Sequence, residues 1–134
     1  MDTFVRQTWV RAALLVGVVY FLIGRVFALP SDHVREWRLA AWVVSGAVYA
    51  AHIAYEHFRL RNTARPTAGH ASVGVAFGAL ALALAANIHD LGSASGYRPR
   101  MLIALVAWPL LTAVPAFIVA LVVAAGLGLR RRRT

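Results

Sequence analysis

The sequence predicts an all-α integral membrane protein, an antiparallel four-helix transmembrane bundle with short loops. Over its 134 residues the chain is 60% hydrophobic, with a mean hydropathy of +0.67. Ordinary soluble domains run nearer ~45–50% apolar. The apolar residues gather in four blocks, and the charged residues sit in the connectors between them. Little chain is left for a soluble domain, so residues 1–134 read as a single membrane domain.

The first helix is expected over residues 9–29. Its apolar core, residues 12–24, is bracketed by Arg11 and Arg25. At 1.5 Å per residue the block covers ~30 Å, enough to cross a bilayer, and the two arginines can reach the headgroups while their stems stay in hydrocarbon. The rival is a cleavable signal peptide with Val26 and Ala28 at the cleavage site. Arg25 just before that site and Pro30 just after it favour a span.

The second helix is expected over residues 36–59, opened by Asp32 as N-cap with His33 and Glu36 beside it. A polar connector, residues 61–67, then leads to the third helix over residues 69–90. So short a link should return the third helix antiparallel beside the second. A loop of Gly92, Ser93, Ser95 and Gly96 follows. The fourth helix, residues 101–129, is longer than a straight span needs, and Pro109 and Pro115 predict a bend in it.

Orientation follows from the arginines, which make up all fourteen basic residues apart from histidine. Arg6, Arg11, Arg59, Arg61, Arg65 and Arg130 to Arg133 fall on the side holding both termini. Arg25, Arg35, Arg38, Arg98 and Arg100 fall on the other. The excess places both termini in the cytoplasm of a multi-pass protein of the bacterial inner (plasma) membrane. An arginine-only composition fits a GC-rich bacterial genome. The formal charge of +9 does not imply nucleic acid, because the basic residues cluster at segment ends.

The best lead to function is a polar and aromatic stripe on the second helix. Arg38, Trp42, Ser45, Tyr49, His52, Glu56 and Arg59 follow one another in steps of four and three, so all share one helical face. Ionisable groups in a bilayer are costly and normally face protein or water. Ser45, Tyr49, His52 and Glu56 form the candidate intramembrane polar site, and His52 and Glu56, one turn apart, could share a proton or a cation. The plainer expectation is that Glu56 pairs with Arg59 or another cytoplasmic arginine at the interface, while His52 bonds a neighbouring helix.

Three further constellations stand out. His33, Glu36, His89 and Asp90 would meet if the second and third helices pair, and they are candidate ligands for zinc, iron or manganese, although their spacing matches no metal motif. Gly74 and Gly78 on the third helix, with Gly46 and Ala50 on the second, permit close helix packing, expected within the chain rather than in a dimer. Arg130, Arg131, Arg132 and Arg133 would attract anionic lipid and fix topology.

Much is excluded. There is no cysteine, so no disulfide, thiolate metal site or cysteine nucleophile. No Gly-rich phosphate loop, GxSxG elbow or HExxH pair is present. No cofactor is expected: a bis-histidine haem needs two histidines at matched depth, and antiparallel second and third helices pair residues whose numbers total roughly 127. His52 then needs a partner near Val75 and has none there, while His57 and His70 match only at the interface. In length and helix count the chain resembles the small multidrug exporters, but the carboxylate those carry inside the first helix is missing from residues 9–29. The resemblance therefore implies nothing about activity.

The leading expectation is a non-enzymatic accessory, scaffold or assembly subunit whose partners are the lipid bilayer, other membrane proteins or further copies of itself. One alternative is a small proton- or cation-coupled transporter or channel subunit using His52 and Glu56. A second is a metal- or cofactor-binding membrane protein.

Overall fold

A computed structural model describes the backbone of residues 2–92 and 99–131 and the side chains of residues 7–92 and 101–130. Four helices make up this region: α1 (Asp2–Val26), α2 (Val34–Ala54), α3 (Ala64–Leu91) and α4 (Pro99–Arg131). A π-helical turn, Tyr55–Arg59, continues α2. Three helical segments are long and apolar enough to cross a membrane: Gln7–Val26, Ala64–Leu91 and Met101–Arg130. Helix α2 is not among them, because Arg35, Glu36, Arg38 and His52 dilute a helix of only 21 residues.

Two boundaries differ from expectation for local reasons. Asp32 does not cap α2; His33 holds that position in a left-handed conformation (φ 55°, ψ 39°), and no side chain makes the cap bond. Helix α3 starts at Ala64 rather than residue 69, after an extended Thr63. Arg65 and Pro66 lie in its first turn, where proline loses no helical hydrogen bond. Polarity made these residues look like loop, but a proline there begins a helix.

Helix α3 is the central element, flanked by α1 and α4. Glycines set the α1–α3 contact. A Cβ on Gly78 would lie 2.6 Å from Tyr20 Cβ, and one on Gly17 would lie 2.8 Å from Phe77 Cβ. Higher up, one on Gly24 would meet the Leu82 side chain at 2.8 Å. Trp9 opposite His70 and Gly24 opposite Leu82 show that α1 and α3 run in the same direction. Helix α4 runs the opposite way: Asn87 Nδ2 donates to Met101 O (3.0 Å) at one end, and Ala68 and Ala71 pack with Ala120 at the other. It passes through Pro109 and Pro115 without interruption.

Helix α2 engages the others with its second half only. Ile53, with Tyr49 beside it, joins the core of Ala68, Ala71 and Ala120. The Tyr49 hydroxyl donates to the carbonyl of Ala116 on α4. Toward its start α2 is exposed, and Trp42 keeps 79% of its surface. Gly46 and Ala50 therefore do not pack against Gly74 and Gly78 as the sequence led us to expect. Gly46 has nothing within 4 Å of a built Cβ, and α1 takes the α3 glycines instead.

Candidate functional site

The polar stripe of α2 occupies one helical face but not one environment. Arg38 and Trp42 are exposed, Ser45 and Tyr49 are half-buried, His52 and Glu56 are buried, and Arg59 is exposed again. The stripe sinks into the molecule as α2 closes on α3. Its centre is Glu56, which is 0% exposed.

Among the described residues three side chains surround the Glu56 carboxylate, none of them an arginine. His70 Nδ1, from the second turn of α3, lies 2.8 Å from Oε2 and donates to it when that nitrogen carries the proton. Asn62 Nδ2 donates to the same oxygen at 2.5 Å. His52 Nε2, one turn back on α2, stands 3.7 Å from Oε1, too far for a hydrogen bond. One carboxylate oxygen is thus saturated and the other open.

Backbone geometry delivers these partners. In the π turn the amide of Leu60 bonds the carbonyl of Tyr55, and the amide of Asn62 bonds the carbonyl of Glu56. Arg61 takes a left-handed conformation (φ 54°) between them. That reversal, costly for a residue with a Cβ, folds Asn62 back over the end of the helix so that its amide reaches Glu56. From the other side the His70 ring lies flat against Trp9 of α1, centroids 4.2 Å apart and 3° from parallel. A Cβ on Gly74 would stand 3.4 Å from His52 Cε1, so glycine there leaves room for the imidazole.

Burying polar atoms is costly unless they are paired. At and near the carboxylate several are not: both ring nitrogens of His52 and of His57, Glu56 Oε1 and Thr67 Oγ1 have no hydrogen-bond partner among the described residues, and further along the same is true of the Tyr20 hydroxyl. Open acceptors beside imidazoles suit a transferable proton or a small polar guest. They do not form a metal centre, since no group of three or more His, Asp or Glu capable of holding one occurs among the described residues.

Among the described residues Glu56 has no arginine partner; it is a buried carboxylate between two histidines. The proposed metal set is not assembled either. His33 and Glu36 approach each other at 3.9 Å on an exposed surface, without gathering His89 and Asp90. The start of α2 is tied to the end of α1 instead, by Trp37 packed edge-on against Phe27. Arg130 is exposed; the Arg131 side chain and all of Arg132 and Arg133 lie outside the described residues, as does the loop at Ser93, Ser95 and Gly96.

Sequence reasoning missed His70, Asn62 and Trp9 as parts of the site. A usable signal existed, since the antiparallel register that matched His57 with His70 also brings Glu56 within one residue of it. Comparison with protein-family models, with curated proteins and with solved structures gave no match.

Proposed function

We propose that this chain is a small multi-pass membrane protein that moves protons or a small cation by means of the Glu56 site. In this reading α1, α3 and α4 span the bilayer, α2 is a fourth and less apolar pass, and the helices form an antiparallel bundle with both termini in the cytoplasm of a bacterial inner membrane. Support for insertion comes from an inverted distribution of size. The interior is mainly alanine and glycine, while Leu15, Val106 and Leu111 face outward. Lipid-facing surfaces and small-residue helix contacts account for both.

The observation that carries the functional reading is the burial of Glu56 between His52 and His70, with no arginine partner among the described residues. A carboxylate held only for structure gains most from a permanent cation. Histidine partners, unlike arginine, can both take up and give up a proton, so the net charge of this group depends on bound protons. Purified protein in liposomes is expected to carry a potential-driven proton or monovalent-cation flux that is lost on replacing His52 and Glu56 together. A flux indifferent to both replacements would dismiss the site.

A second reading, an accessory subunit docked on a membrane partner, is favoured by the outer half of α2, which leaves Trp42, Leu39 and Val43 uncovered. Co-purification of a discrete membrane protein, lost when Trp42 and Val43 become alanine, would favour it.

A further inference from the structure

We infer that the ligand of the Glu56 site is a proton, and that it enters through His70 beneath Trp9. This rests on the transport reading above and names its substrate and its door. Of the three side chains around Glu56, Asn62 does not titrate and His52 is 4% exposed. His70 alone is both titratable and open, with 19% of its side chain exposed.

The ring is also oriented for relay. Stacking on Trp9 fixes its plane, and the contact of Nδ1 with Glu56 directs Nε2 away from the carboxylate. A proton taken up at Nε2 allows the one at Nδ1 to pass to Oε2: the N–H bond breaks, an O–H bond forms, and the imidazole is left neutral. Rotation of the carboxylic acid turns its O–H toward His52. Closing the 3.7 Å gap to Nε2 then moves the proton on, leaving a carboxylate and an imidazolium. The imidazolium returns to neutral by releasing its Nδ1 proton to water on the far side, and tautomer exchange through water restores the Nδ1–H form of both His52 and His70.

The surroundings favour a proton over a metal cation. Among the described residues, the titratable groups facing Glu56 are His52 from α2 and His70 from α3, with His57 next to Glu56 in the π turn; α1 adds Trp9 behind His70, and its Tyr20 lies further along, against Gly78. Helix α4 adds none, since residues 101–129 contain no titratable side chain. Arg59 and Arg61 are exposed. A bare cation needs several oxygen ligands. Here one open carboxylate oxygen faces imidazole nitrogens, a set better suited to passing a proton.

The test uses the full chain in neutral phospholipid liposomes with an enclosed pH dye and a potassium–valinomycin potential. Wild type should acidify the lumen and Glu56→Gln should not. His70→Phe keeps an aromatic ring against Trp9, and His70→Gln keeps a donor for Oε2. Both should slow acidification by about a hundredfold or more, the scale of a lost proton-transfer group, and added imidazole should restore much of the rate in either His70 variant but not in Glu56→Gln. Wild-type rates in a folded His70 variant would overturn the entry route while leaving transport standing. A Glu56-dependent sodium flux without acidification would overturn the proton as ligand, and no flux at all in wild type would end the transport reading itself.

Discussion

Glu56 has one saturated oxygen and one open oxygen, and the two sides should respond differently to substitution. Replacing Asn62 by alanine removes a donor from a fully buried carboxylate, for an expected loss of about 1–3 kcal/mol. Thermal unfolding in detergent would measure it, with a Thr63→Ala control at an exposed position expected to change little. Arg61→Gly should act in the opposite direction. Glycine adopts a φ of 54° without strain, so up to about 1 kcal/mol of stability should be gained with the site intact. At this scale His52 and Glu56 were legible in the sequence, because charge inside an apolar run is conspicuous. The burial of Glu56 was not, since counting residues from a helix end gives depth in a bilayer and says nothing of what folds over that end. The π turn and the left-handed Arg61, which bring Asn62 back, leave no pattern in residue type.

At the scale of elements the close contact is between α1 and α3, and the glycines there are unequal to those elsewhere. Gly78→Ala forces a methyl to within 2.6 Å of Tyr20 Cβ and 3.1 Å of Gly17 O. Overpacking of this kind should cost about 1–3 kcal/mol and separate α1 from α3. Gly46→Ala meets nothing within 4 Å and should stabilise α2 by about 0.5–1 kcal/mol. A melt of the two variants side by side checks both signs. Helix positions were legible because the apolar blocks and the prolines mark them. The partner of Gly74 and Gly78 was not: small residues four apart announce that some backbone comes close, without naming which. Helix α2 offered the same spacing in Gly46 and Ala50, yet Arg38 and Trp42 keep that half of α2 at the surface and α1 fills the place.

For the whole molecule, three strongly apolar helices and a weaker fourth make topology the property to establish. The described residues contain no cysteine, so single substitutions can be labelled without background. In sealed vesicles an impermeant maleimide should reach Arg61→Cys only from the cytoplasmic face and His33→Cys only from the opposite one. Labelling of both from one face would mean that α2 does not cross. That the chain holds helices long and apolar enough to cross a membrane was legible from the sequence alone. The order of packing, with α3 at the centre and α2 at the edge, was not, because hydropathy ranks segments by their affinity for lipid and not by the neighbours they choose.

The His70–Glu56 contact is where these scales meet, and nuclear magnetic resonance of 15N-histidine-labelled protein in lipid nanodiscs reads it directly. One histidine should show a hydrogen-bonded Nδ1–H, shifted downfield, that is lost in Glu56→Leu and absent in His70→Gln. A histidine spectrum without that signal, or one in which it is unchanged by Glu56→Leu, would contradict the site.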